Sequence, residues 1–599
     1  MNWHLEKILA TGGFLFLFLS AIVVASIPPA TDYEISIYKA YPSYFWFFLI
    51  GGMSCGILIL INQAFSERKT NWWIIGLCII ISSNSLFLSL PYFHGYFLYE
   101  RGDALSHIGW MKDISLMGHI SSGNFYPIVH ILGTITSQVL DLDFEKVTYM
   151  FFALWSSIYL LNVYLLALTI SNSYRQALLI MVFGSPLIFS IYHLTLHPSM
   201  LSLFMVPLLL FFFHLGQKRQ NPIANNFLLV LLGFLITFAH PITCLFVITA
   251  LSILNLFLYI QQRKLSFSLI NPNSQKLKME YRLPLVMFCA FFIWYSSFAV
   301  FEQSVRKVFE FLVYESGMNI VESHTSLLKM SGITVGQTIK LFLYRYGAAA
   351  IYCIISFCSA ILALRSNWNK KSLPPSPSLI YSVLFFAALL FSAFFIWGFP
   401  GGEHTTSIVR YLRFVLMIAP FLCGLTFYEL ISQDRKKLIG AFLTLLILTV
   451  VTLSLLSIYG GPHTVRPNLQ VTQMDITGTR FFSTYQNRDI PVATTGVELR
   501  RFEDFNFGIE VRPFKRAKLW AELIPSHFGY QEHGTLSEVY TEETYLLISR
   551  KNIVDINIYP QNVRPKVHQY NEEDLQRLKI DPSVAQIYNN RGFEVWIVR

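Results

Sequence analysis

Charge is scarce in this 599-residue chain: Asp, Glu, Lys and Arg make up 13% of it, against 54% hydrophobic residues. That balance excludes an ordinary soluble domain and fits a polytopic membrane protein. The seven cysteines, Cys55, Cys78, Cys244, Cys289, Cys353, Cys358 and Cys423, all lie in apolar runs, and no CxxC pair occurs. They are therefore small core or lipid-facing residues, not a disulfide framework or a thiolate metal site. P-loop and GxGxxG patterns are missing, which removes the usual nucleotide sites, and so is HExxH spacing for zinc. Repeats and low-complexity tracts are also lacking. A net charge of +10 would suggest nucleic acid as the partner of a soluble chain. Here the basic residues sit in short loops between apolar runs, which is an orientation signal, and no nucleic-acid partner is expected.

What the chain has is apolar runs, and a helix needs about 20 such residues to cross the hydrocarbon core. Thirteen candidate spans follow, near 8–27, 44–65, 72–90, 147–170, 177–192, 199–214, 226–239, 242–260, 285–301, 348–364, 378–398, 414–431 and 438–459. The first is expected to be an uncleaved span rather than a signal peptide, because no clear cleavage site follows it. With the N-terminus in the cytoplasm, all seven inside segments are basic, from Lys7, Arg68 and Lys69 through to Arg435, Lys436 and Lys437. Residues 128–140 are too short to span and predict an interfacial or re-entrant helix, and 302–340 resembles them. After about residue 460 the composition changes. A helix over 475–487, strands over 490–494 and 544–549, and a hairpin over 587–598 with an Asn-Asn-Arg-Gly turn are expected there. The expected architecture is a mainly α transmembrane bundle over 1–460, including an external loop 91–146. An extracytoplasmic α/β domain follows over 461–599.

Most ionisable residues not explained as orientation signals fall on the external side, where they tend to mark a site. Glu100, Arg101, Asp103, His107, Lys112, Asp113 and His119 cluster between Pro91 and Gly133. Asp103 fits the N-cap of a following helix, and equally a carboxylate that acts as a base; the two are compatible. His107 lies one turn on, on the same face, and Glu100 is the second carboxylate of the loop. Asp113 points elsewhere and is expected to be solvated. Arg410 and Arg413 share a helical face at the external end of a span, either snorkelling to headgroups or clamping a phosphate. Glu403 and His404 precede them after a Gly-Gly pair. His193, His197 and His240 each suit an interfacial helix end, but three on one side suggest a shared cavity. No cofactor is implied, and a divalent metal is left open.

The stretch RGDALSHIGWMKDISLMGHISSGNFYPIVHIL resembles the first external loop of the GT-C superfamily, multi-spanning glycosyltransferases that use polyprenyl-phosphate-linked sugars. Asp103, the helix to about Gly118, and Gly123 with Tyr126-Pro127 carry the resemblance, with His240-Pro241 and RYLRF further along. IYNNRGFEVWIV resembles the end of archaeal proteins of this type. Two departures stand out: Ala104 follows Asp103 where many members have a second acid, and two extra spans precede the loop. The resemblance implies a membrane transferase of hexosyltransferase type, acting at the extracytoplasmic face of the cell membrane. Its donor would be a polyprenyl-phosphate sugar, drawn from among the membrane lipids, and its acceptor a glycan, lipid or protein hydroxyl. Asp103 with Glu100 would be the base, and His107 would orient the carboxylate or a substrate hydroxyl. Arg410 and Arg413, with His240, His193, His197, Glu403 and His404, would hold donor and phosphate. A polar-lipid transporter or flippase, or a non-catalytic membrane scaffold, are the alternatives.

Overall fold

The computed structural model describes residues 3–67, 70–171, 173–217, 222–266, 282–314, 332–368, 375–397, 409–431 and 436–599. The N-terminal part holds α1 (Trp3–Ser26), α2 (Ser43–Phe65), α3 (Trp72–Leu88), α4 (Asp103–Met117), α5 (Ile128–Leu140) and α6 (Phe144–Ile170). It continues with α7 (Tyr174–Gly184), α8 (Pro198–Gln217), α9 (Pro222–Ala239), α10 (Pro241–Ser266), α11 (Arg282–Tyr295) and α12 (Ala299–Tyr314). The bundle closes with α13 (Val335–Trp368), α14 (Pro377–Trp397), α15 (Val409–Ile431) and α16 (Lys436–Ile458). Among the described residues, nine helices are long and apolar enough to cross a membrane. The chain is thus a multi-pass helical membrane protein. Two of the other expected spans are the shorter apolar helices α3 and α9.

Two expected spans take a different form. The run 177–192 is helical only to Gly184; Pro186, which has no N–H to donate, follows, and the chain turns through a 3-10 segment, Ser190–Leu194. Irregular backbone at this depth is tolerated where protein encloses it. Leu187, Ile188 and Phe189 are buried, and Ser190 Oγ donates to the Ser457 carbonyl at 2.8 Å. The run 285–301 bends by 106° between α11 and α12. No residue of α12 is buried, and Val305, Phe309 and Leu312 are exposed. Close packing of α2 on α3 depends on two glycines: a Cβ on Gly56 or Gly76 would lie 2.8 Å from the other's carbonyl oxygen.

The C-terminal segment contains α17 (Gln473–Tyr485), α18 (Leu499–Phe507), α19 (Glu572–Ile580) and a five-stranded sheet. In the sheet, β3 (Val492–Thr494) lies parallel between β4 (Glu522–Leu523) and β5 (Thr544–Ser549). Strand β7 (Phe593–Val598) is antiparallel to both β5 and β6 (Val584–Asn589). The expected hairpin is therefore β6–β7. Asn590 Oδ1 accepts from Gly592 and Phe593 N–H, and Arg591 takes φ 75°, as a tight turn requires. The central strand β5 is buried throughout. The bundle's apolar core continues into this segment through Leu547, Phe593 and Val595.

Three contacts attach the polar loop to the C-terminal segment. Strand β1 (Leu98–Tyr99) pairs antiparallel with β2 (Gln470–Val471). Arg101 is buried and bonds both oxygens of Asp475, at 2.8 and 3.0 Å. The third contact, α4 against α18, corrects the expectation that Asp113 is solvated. Asp113 is fully buried and accepts N–H bonds from Ile509, Glu510 and Val511 at 3.0–3.4 Å. The helices approach so closely that a Cβ on Gly109 would lie 2.5 Å from the Asp504 carbonyl oxygen.

Asp113→Ala should strand three backbone donors and cost about 2–5 kcal/mol. It should therefore lower the Tm of the purified protein and expose residues 500–520 to protease. Asp143, whose side chain is 59% exposed beside Lys146, is the comparison. Its alanine variant should stay within about 1 kcal/mol of wild type. Equal Tm losses in the two variants would contradict the docking role of Asp113.

Candidate active site

The β1–β2 ladder and the Arg101–Asp475 pair clamp the backbone on both sides of Glu100, which sits at φ 94°. Arg101 reaches the C-terminal segment while Glu100 turns into the bundle. Its Oε2 accepts from Leu196 N–H at 3.3 Å, and its Oε1 lies 3.4 Å from His197 Nε2. Three residues on, Asp103 is the first residue of α4, after Gly102, and its side chain makes no capping bond. The N-cap reading is thereby corrected. Asp103 Oδ1 instead lies 2.5 Å from Arg501 Nη2, and Oδ2 lies 3.7 Å from His197 Nδ1. His197 thus stands between the two carboxylates.

Environment separates the two acids. The Glu100 side chain is 8% exposed and that of Asp103 41%. Burial pushes Glu100 up to about 8, and the charge of Asp103 adds to this, so Glu100 is protonated at pH 7. Burial also works to raise Asp103, but His197, Arg501, His107 and Arg410 outweigh it and hold the carboxyl at about 2. His197 is itself pushed down to about 4 by burial and is neutral at pH 7. The arginines therefore keep Asp103 ionised. Neutral His197 thus sits beside a protonated Glu100 at Nε2 and an ionised Asp103 at Nδ1, at 3.4 and 3.7 Å. Of the two acids, only Asp103 is both charged and accessible at neutral pH.

His107 makes no hydrogen bond to Asp103 among the described residues. Its Nδ1 pairs with His130 Nε2 at 2.9 Å, and His130 Nδ1 with Asn124 Oδ1 at 2.9 Å. Both rings are buried, and burial pushes His107 down to about 3 and His130 well below its usual range. His193 lies apart from the carboxylates, buried, with Nδ1 2.9 Å from Ser156 Oγ and Nε2 accepting from Phe189 N–H. His240 does join the cluster: its ring lies 6.4 Å from that of Tyr126, and the charges of Arg413 and Arg410 act on it. Glu403 and His404 lie outside the described residues.

Arg413 is 1% exposed, which rules out snorkelling. Its Nη1 donates to Ser199 Oγ at 2.8 Å, and the guanidinium lies over Phe414 and Tyr192 at 5.2 and 5.9 Å. Its Nε and Nη2 have no hydrogen-bond partner among the described residues. The charge of Arg410, one turn earlier, acts on Asp103, Tyr126, His197 and His240. An apolar cavity of about 490 Å³ begins at Phe125 and Pro241, chain neighbours of Tyr126 and His240, and runs past Leu245, Phe298 and Phe301. Among the described residues no three His, Cys, Asp or Glu side chains are grouped to hold a metal ion. The structure thus brings together Glu100, Asp103, His107, His197, His240, Arg410 and Arg413. Sequence reasoning missed Arg501, His130 and Asn124. The only available signal for Arg501 was the charge density of LRRFEDF.

No family model matches the chain, and no curated protein matches it. Among solved structures, it is similar to the oligosaccharyltransferase of Archaeoglobus fulgidus in complex with zinc and sulfate. That likeness has 12% identity and a TM-score of 0.46, and covers 81% of this chain and 70% of the other. It is also similar to ArnT from Cupriavidus metallidurans bound to undecaprenyl phosphate, at 12% identity and TM-score 0.45, over 88% of this chain and 98% of the other. The apo form of that ArnT gives 11%, 0.41, 88% and 97%.

The state of Glu100 has a measurable consequence. The folded chain keeps a proton that the unfolded chain releases above the ordinary value of 4.5, so stability falls between that pH and about 8. Glu100→Gln removes this loss. Its Tm advantage over wild type should grow as pH rises from 5 to 8, as read by thermal melts. Parallel Tm curves would mean that Glu100 is ionised in the folded protein.

Proposed function

We propose that the chain is a GT-C-like glycosyltransferase, moving a sugar from a polyprenyl-phosphate-linked donor to a glycan, lipid or protein hydroxyl. The observation that carries this is the buried Arg413 guanidinium, two of whose nitrogens lack partners among the described residues, in the same cluster as an accessible, ionised carboxylate. An unpaired buried charge costs several kcal/mol, so an anion is the natural occupant beside it. The apolar cavity next to His240-Pro241 suits the lipid tail of such an anion. A scaffold would leave the Asp103 and Arg410 regions apart, but the charge of Arg410 bears directly on Asp103. Residues 1–460 would hold the donor, and 461–599 would complete the site.

In the reaction, Asp103 accepts a hydrogen bond from the acceptor hydroxyl and aims its oxygen at the sugar C1. The new C1–O bond forms as the bond from C1 to the phosphate oxygen breaks. The acceptor proton passes to Asp103, and the bonding electrons leave with the lipid phosphate, whose charge rises. Arg410 and Arg413 stabilise that growing charge, an interaction stronger in the transition state than in the bound donor. Held at about 2, Asp103 is a weak base. It therefore works mainly by orientation and takes the proton late, once C1–O cleavage has made the hydroxyl acidic. Glu100, protonated, stays beside His197 and accepts from Leu196 N–H.

Transfer of labelled sugar from a polyprenyl-phosphate donor, in membranes at matched protein level, tests the assignment. Asp103→Asn should lose about 10²–10⁴-fold. Arg413→Met should also lose transfer while its Tm holds or rises, because an unpaired buried charge is gone. Near-normal transfer by Asp103→Asn would sink the catalytic assignment. Wild-type failure across a broad panel of donors and acceptors would sink the enzyme reading.

We also infer that the N-terminus is cytoplasmic and the C-terminal segment external, from the basic inside segments. A cysteine placed at the exposed Ser537, with the seven native cysteines removed, should react with an impermeant thiol reagent in intact cells. Reaction only after lysis would reverse the orientation.

A further inference from the structure

Arg501 belongs to α18, far from Asp103 in sequence, yet its guanidinium spans the first turn of α4. Nη2 reaches Asp103 Oδ1 at 2.5 Å and Nη1 donates to Ser106 Oγ at 2.9 Å. The Ser106 hydroxyl donates in turn to Asp504 Oδ2 at 2.5 Å. Asp504 lies one turn after Arg501, is fully buried, and is paired with Arg512 at 3.1 Å and with Arg516. The result is a closed set of bonds linking the two helices. The tight Gly109 crossing and the Asp113 bonds to Ile509, Glu510 and Val511 fix the position of α18 independently.

We propose that Arg501 is the positioning residue for Asp103: the C-terminal segment sets the orientation of a carboxylate that belongs to the membrane bundle. Arg501 takes Oδ1 and leaves Oδ2 for the acceptor hydroxyl. A guanidinium suits this role, since it stays charged at every working pH and its planar fork fixes direction. The groups that bear on Asp103 are Glu100, His107, Tyr126, His197, Arg410, Glu498 and Arg501. The histidines are neutral at pH 7, Glu100 is protonated, and Arg410 makes no ion pair with Asp103 among the described residues. Arg501 is thus the direct charged partner. This inference rests on the glycosyl-transfer reading, and its test is chosen to separate the two.

A carbodiimide reacts with a carboxyl group in its protonated form, so its attachment to Asp103, located by mass spectrometry, reports the state of that group without turnover. Purified full-length protein should label at Asp103 poorly at pH 5–7. Arg501→Gln should label there at least tenfold faster, and Arg501→Lys, which keeps the charge, should resemble wild type. Arg500→Gln, the neighbour on α18, should also resemble wild type. In the transfer assay, Arg501→Gln should lose about tenfold or more in kcat and gain an acidic limb that wild type lacks, with Arg501→Lys recovering part of the rate. Unchanged labelling in Arg501→Gln would overturn the proposal. Equal labelling gains in Arg500→Gln and Arg501→Gln would overturn it too, since the effect would then belong to α18 docking. A wild type that never transfers overturns the glycosyltransferase reading, while labelling still decides whether Arg501 governs Asp103.

Discussion

The buried pair between Arg101 and Asp475 holds the rest of the site in register. A bidentate guanidinium–carboxylate bond is strong and directional, and breaking one inside a protein leaves an uncompensated charge costing about 3–5 kcal/mol. Asp475 is shared further. It completes the capping box that starts α17 with Thr472, and it accepts from Ser549 Oγ at the end of β5. One carboxylate therefore ties the polar loop, a helix start and the central strand together. Arg101 stands between Glu100 and Asp103, so fixing it fixes where both acids can point.

From that constraint the electrostatics of the site follow. Glu100 is turned into a dry pocket, where a backbone N–H and a neutral imidazole cannot hold a full charge, so it keeps its proton. Asp103, three residues on, opens onto accessible space and meets arginines from two directions. Two carboxylates in neighbouring turns thus have opposite protonation states at neutral pH, a separation commonly found where acid and base roles are divided. The same low dielectric makes the unpartnered nitrogens of Arg413 costly, and that cost is the reason to expect an anion there.

Much of the fold was legible because membrane helices must satisfy their own backbone. Apolar length alone located α2, α6, α14 and α16, and turn chemistry located the β6–β7 hairpin. The run 177–192 was misjudged because hydropathy does not register what Pro186 does to a buried helix end. Asp103, Arg410 and Arg413 were legible as ionisable groups in an apolar context. Their settings were not. An N-cap and an ion-paired Asp103 look identical in sequence, and Asp113 looks solvated until Ile509–Val511 is known to lie against it. Arg501 was hidden for the same reason, since its partner is set by tertiary docking and no local spacing encodes it. His107 shares a face with Asp103 as expected, yet His130 claims its Nδ1, because the Asn124 turn brings α5 against α4.

The two halves of the chain contribute different parts of the proposed chemistry. The bundle supplies the apolar cavity and the arginines, which need a rigid, water-poor setting to act strongly on a phosphate. The C-terminal segment supplies the orientation of Asp103 through Arg501, and its hold on α4 through Asp113 and Gly109 is rigid enough to transmit that orientation. In the proposed reaction, an acceptor would approach Asp103 from the side that Arg501 leaves open. On the proposed reading, the open side of Asp103 bears on which hydroxyls reach C1, while Arg410 and Arg413 of the bundle bear on which lipid phosphate is held. On that reading, donor and acceptor selectivity would change separately, by substitutions on different sides of a single carboxylate.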